Sequence, residues 1–328
     1  MVQSTRRLLI VFAVLLLATV LWTVGQKRRT TSRERSFARF DIEDVLRVEI
    51  AKQDYDITFE NAGGRWVLTE PLEYPANQSA VEDMLEQAGS LAVVNLVSSN
   101  QRNHDLYEVG PDTGVLVRLF GGRDAAREIF SFYVGKMTSD FGHTYVREFG
   151  NDDVYTATGL LNGYFDKEVA NWRDRTILSL AQAEIQEVHA ERDTLQFVLG
   201  RRGRLPGAPD APWAVHFADD PVPTAADSAQ AERLAQRMAT LSASSFPAIE
   251  DEVNADWENP VARLQVVMTD GSTHEVRAWE MPDDQNRWYV RTVGNETVFL
   301  MYRSNLDNFW RARDMLAIPE ETGDPGTG

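Results

Sequence analysis

One order of features occurs twice along this chain, and each occurrence ends on a tryptophan–arginine cluster. An alternating run at 42–50 is matched by 183–191, and a second at 55–60 by 194–199. A turn then opens a tryptophan strand, Trp66-Val67-Leu68 in one half and Trp213-Ala214-Val215 in the other. After a proline-bearing loop and a helix come Tyr145-Val146-Arg147 and Tyr289-Val290-Arg291, each followed by Gly-Asn. The closing clusters are Trp172-Arg173-Asp174-Arg175 and Trp310-Arg311-Ala312-Arg313-Asp314. The Tyr-Val-Arg copies are 144 residues apart and the closing tryptophans 138. A near-constant offset points to an internal duplication; the alternative is two unrelated α+β domains that share common turn chemistry.

Local pattern fills in the elements. Residues 45–50, 55–60 and 65–69 alternate at period two between polar turns, which predicts an antiparallel meander. Asn77 offers a cap for a helix whose apolar face is Val81, Met84, Leu85 and Ala88. Strands follow at 93–97, 115–120, 128–134, 145–149 and 154–156, and then a helix over 158–170. In the second half the spacing predicts a helix over 227–241 and hairpins 261–268/274–278 and 288–292/297–301. The expected fold class is α+β: two tandem related repeats, residues 40–180 and 181–317, each a mostly antiparallel sheet packed with helices. A polar tail, 318–328, is expected to be disordered.

Ahead of the repeats stand a short tail (1–7), an apolar run (8–25) and a basic stem (26–39). Residues 8–24 are apolar apart from Thr19 and Thr23, just long enough for one transmembrane helix, with Trp22 near one end as an interfacial aromatic. A cleaved signal peptide is the alternative, but no small-x-small site follows the apolar core. Residues 1–39 hold eight Lys or Arg, whereas the whole chain carries a net charge of -17. The body is therefore strongly acidic, which argues against nucleic acid as a partner. Lys and Arg are denser on the C-terminal side of the span, which taken alone points the body to the cytoplasm; the signal-anchor layout points it outward. The stem and helix would contact membrane lipid. The chain has no cysteine, so disulfides, thiolate metal sites and a lipoprotein anchor are excluded.

No catalytic motif is present. His104, His143, His189, His216 and His274 are all more than four residues apart, so no local metal pair exists. The acid pairs Asp152-Asp153, Asp219-Asp220 and Asp283-Asp284 fall in expected turns without the calcium-loop pattern. No phosphate loop, nucleophile elbow or dinucleotide fingerprint occurs, so neither metal nor cofactor is expected, and no enzyme. The interaction or structural candidates are Trp172, Arg173, Arg175, Trp310, Arg311 and Arg313. Arg on Trp can form a recognition surface; equally, the Trp can close a core while the Arg meets a helix end, and a feature present in both halves suits the second role.

Three stretches carry a resemblance: 40–50, Gly64-Arg65-Trp66-Val67-Leu68-Thr69-Glu70-Pro71, and 74–82, with the Trp172–Arg175 close. Together they make the chain resemble the domain-of-unknown-function 4340 family, over about 40–317. The resemblance brings no catalytic residues. It implies a single-pass protein of the inner membrane whose body faces the periplasm or exterior, sometimes associated with transport systems of the gliding-motility ABC type. The expectation is a non-enzymatic protein-binding or accessory module with an envelope or transporter partner. An envelope hydrolase or glycan-binding protein with a site between the repeats, and a structural spacer, are the alternatives.

Overall fold

The computed structural model describes residues 35–249, 253, 255–311 and 316. The tail 1–7, the expected span 8–25, stem residues 26–34, the tail 318–328 and Arg313 lie outside them. Among the described residues no helix is long and apolar enough to cross a membrane. The chain forms two compact units that divide between Arg173 and Asp174. Both are mostly antiparallel sheet with few helices.

The first unit holds strands β1 (Arg35–Ser36), β2 (Val45–Lys52), β3 (Tyr55–Ala62), β4 (Arg65–Glu70) and β5 (Tyr74–Pro75). Helix α1 (Gln78–Gly89) follows, then β6 (Ala92–Ser98), β7 (Val115–Gly121), β8 (Arg127–Met137), β9 (His143–Glu148) and β10 (Val154–Thr158). Short helices α2 (Asn162–Phe165) and α3 (Val169–Trp172) close it. The sheet order is β1-β6-β10-β9-β8-β7-β2-β3-β4-β5. Alternation aims Val48, Ile50, Ile57, Phe59 and Leu68 at one face, where Val81, Met84 and Leu85 of α1 cover them. Asn77 caps α1 by accepting from Ala80 N at 3.2 Å, and its own amide donates to the Trp172 carbonyl at 2.7 Å.

The second unit runs β11 (Ile185–Arg192), β12 (Leu195–Arg201), β13 (Trp213–Phe217), β14 (Thr224–Ala225), α4 (Ser228–Ala239), β15 (Ala262–Met268), β16 (Thr273–Met281), β17 (Asp284–Thr292), β18 (Phe299–Tyr302) and α5 (Arg303–Trp310). Its sheet order is β14-β13-β12-β11-β15-β16-β17-β18, the order of β5-β4-β3-β2-β7-β8-β9-β10 in the first unit. The parallel extends to irregularities. Both β2 and β11 shift register near their starts, between Val45 and Arg47 and between Ile185 and Glu187. Asp227 caps α4 through Gln230 N at 3.0 Å.

Several expectations from the sequence need correction. Residues 35–39 are not stem: Arg35 and Ser36 pair with β6, and Phe37 packs edge-on against Phe130 and Phe132, because an apolar ring beside an open core is worth more buried. Residues 174–180 pair with the second unit, through Ile177 N to Leu241 O at 2.9 Å and Leu180 N to Ala239 O at 2.8 Å. The single helix expected over 158–170 is two short ones. Asp166 breaks it with φ −104° and ψ 68°, its carboxylate accepting from Lys52 Nζ at 2.8 Å and Tyr55 Oη at 2.9 Å. The closing tryptophans are not equivalent. The carbonyl that receives the Asp227 amide, as Trp172 receives that of Asn77, is Leu316 at 2.9 Å. Leu316 lies 144 residues after Trp172, the spacing of the Tyr-Val-Arg copies, and both side chains are fully buried.

One polar knot in the second unit predicts a pH response. Glu232 accepts from Trp213 Nε1 at 2.9 Å, Arg201 Nη1 at 3.1 Å and Gln182 Nε2 at 2.8 Å. Burial would raise this carboxyl, but those bonds outweigh it and hold its pKa below the ordinary 4.5. A carboxyl depressed in the folded state adds stability above its unfolded pKa and loses it as pH falls through the folded one. Acid titration of the second unit, followed by amide exchange in β13 and α4, is expected to show a loss below about pH 4.5 that Glu232→Gln makes shallower. Identical acid profiles for the two proteins would refute the assignment.

Candidate functional site

The candidate site grows from the face of each sheet that α1 or α4 does not cover. In the first unit this face carries a cross-strand row, Ala51, Leu116, Tyr133, Arg147 and Val154. The row is closed over by the crossover from β6 to β7. Val109 packs with Tyr133 and Val154 in a small second core, with Tyr107 and Tyr145 beside it. Arg147 clamps the crossover down: Nε donates to Val109 O and Nη1 to Asn151 O, each at 2.9 Å, and its guanidinium lies 4.3 Å over the Tyr133 ring. Burial lowers the Arg147 pKa, and Tyr133 opposes the shift. Gly135 makes room, since a Cβ there would overlap the Tyr107 carbonyl. This row is therefore covered.

In the second unit the corresponding row has the opposite chemistry. Register places Gln196, Glu191, Arg263, Arg277 and Arg291 side by side across β12, β11, β15, β16 and β17. The next row is His216, Val198, His189, Gln265 and Glu275. A concavity of about 480 Å³ is lined by both rows as far as Arg263 and Glu275. A second, of about 370 Å³, continues past Arg277 and Arg291 to Trp257 and Trp279. Three arginines directly opposite one another repel, since like charges across strands destabilise a sheet. The repulsion is relieved in part: Glu191 is 3.5 Å from Arg263, Glu275 is 2.6 Å from Arg277, and Arg291 lies 4.6 Å over the Trp257 ring. His189 is 3.0 Å from Glu187, which also takes Arg204 at 2.6 Å.

The sequence candidates lie elsewhere. Trp172 is fully buried, 5.2 Å edge-on to Phe59, its indole N–H bonded to Lys167 O at 3.2 Å. Arg173 is buried with its guanidinium 4.3 Å over Tyr74; burial lowers its pKa and Tyr74 opposes this. Within the second unit, the Arg175 carbonyl accepts from Ala243 N at 2.8 Å, and Trp310 is a buried residue of α5 with Arg192 5.6 Å over its ring. Arg311 is exposed at the end of α5. Arg192 and Asp307 form an ion pair that ties the β11–β12 turn to α5, as Lys52 and Asp166 tie the β2–β3 turn to α2. Reasoning from sequence missed the arginine row. Its signal was there: Arg263, Arg277 and Arg291 are spaced 14 residues apart across two expected hairpins.

Among the described residues no three His, Asp or Glu side chains are grouped to hold a metal ion. The basic turn at 200–204 has an acid for each arginine, Glu232 for Arg201, Asp210 for Arg202 and Glu187 for Arg204.

A family model described as Domain of unknown function (DUF4340) matches residues 66–260, well over half of the chain. The chain belongs to the DUF4340 family. No curated protein and no solved structure matches it. The DUF4340 match is narrower than the resemblance read over 40–317. It begins at Trp66 in β4 and ends just before β15, so it spans the division between the units and includes His189 and His216. The three arginines lie beyond the matched stretch.

Proposed function

We propose that this chain is a membrane-anchored, non-enzymatic accessory module of the cell envelope that binds a partner protein, and that its two units arose by duplication. The shared strand order, the matching bulges in β2 and β11 and the matching helix caps support the duplication. One observation carries the binding reading: the same sheet row is covered in one unit, its one arginine bonded to the covering backbone, and is arginine-lined and concave in the other. A row of like charges is a cost that a sheet bears where counter-charge arrives from outside. Arg263, Arg277 and Arg291 suit carboxylates on an acidic segment of the partner, which the outward-facing, transporter-associated reading places among envelope or transport proteins.

The test is photo-crosslinking in native membranes from a probe at Gln265, in the row beside the arginines. Wild-type chain is expected to capture one discrete partner. Arg263→Gln with Arg277→Gln is expected to weaken capture at least about tenfold, the effect of ~1.4 kcal/mol, while thermal stability is unchanged or rises as repulsion is relieved. Capture that ignores the double substitution would sink the reading. A second reading, glycan binding or cleavage, is favoured by one fact: His189, His216, Glu191 and Glu275 line one concavity. Titration with envelope oligosaccharides that leaves the histidine ring resonances unmoved would eliminate it.

A further inference from the structure

The β8–β9 turn of the first unit presents a bare aromatic ring. Phe141 is 70 % exposed, and Met137 and Leu160 are exposed as well. Met137 pairs with Thr144 at the base of the turn, and Gly159 N donates to Gly142 O at 3.0 Å, which brings Leu160 alongside. The ring is held out rigidly. Phe141 sits at φ +56°, a left-handed conformation that side-chain-bearing residues avoid unless their surroundings enforce it. Here they do: Phe141 N donates to Thr138 O at 3.0 Å, Gly142 N to Asp140 Oδ1 at 3.0 Å, His143 N to Thr138 Oγ1 at 3.2 Å, and Thr138 Oγ1 to Asp140. The corresponding connection in the second unit, Pro282-Asp283, carries no aromatic side chain, and Gln285, at the start of β17, stands 144 residues after Phe141.

The chain enters the unit close to this turn. Arg35 pairs with Val93, Val93 with Ala157, and the next residue, Thr158, with His143. The entry point is therefore three strand spacings from the turn, roughly 14 Å. Nine residues, 26–34, separate the 8–25 run from Arg35; fully extended they reach about 30 Å. A tether of that length lets a bilayer that holds residues 8–25 reach Phe141. Uncharged aromatic side chains enter the interface without anionic lipid, which matters for a body this acidic.

We propose that this turn is a second membrane contact, with Phe141 inserted at the bilayer interface and Met137 and Leu160 beside it. The proposal rests on the reading of 8–25 as an anchor. The chain has no cysteine, so one introduced thiol labels uniquely. Full-length chains carrying Ser139→Cys, Leu16→Cys or Gln285→Cys, each labelled with an environment-sensitive dye, would be reconstituted into phosphatidylcholine vesicles. The Ser139 label is expected to shift to the blue and to be quenched by lipid spin-labelled near the headgroup. The Gln285 label should stay aqueous. Adding Phe141→Asp to the Ser139→Cys chain should return its emission to the aqueous position, with the circular dichroism melt unchanged. A blue-shifted Leu16 label beside an aqueous Ser139 label overturns the proposal and leaves the anchor standing; both aqueous overturns both. A Ser139 label that is dry only in native membranes that keep their proteins assigns the turn to a protein socket and also overturns it.

Discussion

Trp172→Ala is expected to destabilise the first unit by about 3–5 kcal/mol, the range for removing a fully buried tryptophan. The ring fills the space beneath Phe59, its N–H holds Lys167 O, and its backbone carbonyl anchors the start of α1 through Asn77. Amide exchange is the readout: β2, β3, β4 and α1 should lose protection while β11 to β13 keep theirs. The equivalent change in the second unit is Leu316→Ala, expected to cost about 2–5 kcal/mol. Trp310→Ala is not its equivalent, since it strips a ring from Arg192 at the turn end of the sheet. If Trp310→Ala exposes the amides at the start of α4 and Leu316→Ala does not, the pairing of Trp172 with Leu316 is wrong.

Arg147→Ala is the second large effect, expected at about 2–4 kcal/mol. The Val109 carbonyl would lose its donor inside a covered face, where a buried group left unpaired costs about 1–3 kcal/mol; the bond to the more exposed Asn151 carbonyl and the guanidinium's contact with the Tyr133 ring would be lost as well. The crossover should open locally, so that exchange rises at 104–114 more than in β8 and β9. Arg147→Lys should recover only part, because an ammonium cannot place two donors in the guanidinium's fixed geometry. A crossover that stays protected in Arg147→Ala would mean that Val109 and Tyr107 hold it by packing alone. Arg291→Ala in the second unit removes a guanidinium from Trp257 rather than a pair of carbonyl bonds, so its cost should be smaller.

These two residues also show where sequence reasoning ran out. Tyr145-Val146-Arg147 was legible as a strand that ends in a Gly-Asn turn, and Gly150 and Gly294 do stand at positive φ there. That Arg147 turns onto a crossover almost forty residues earlier in the chain was not legible, because nothing local to it records Val109. The tryptophan–arginine clusters misled for a related reason. Trp310 resembles Trp172 by composition, but the position is defined by which carbonyl meets the α4 amide. The arginine row needed strand register: a shift of one residue in β16 would send Arg277 to the other face.

What the sequence determined by itself was therefore local and periodic. Alternation placed the strands, Asn77 and Asp227 marked the helix starts, glycines marked the turns, and the distinctive stretches around Trp66 and 74–82 identified the DUF4340 family. Those signals act between residues a few positions apart, so a short window contains them whole. The tertiary structure decided what lies far apart in sequence. It joined β2 to β7 across the middle of the sheet, drew 35–39 and 174–180 into the units they begin, and put Leu316 beneath α4. It also covered one sheet row and left its counterpart lined with Arg263, Arg277 and Arg291. Each of these depends on which distant strand offers its edge and which side chains fill the space above it, and only the folded chain brings those partners together.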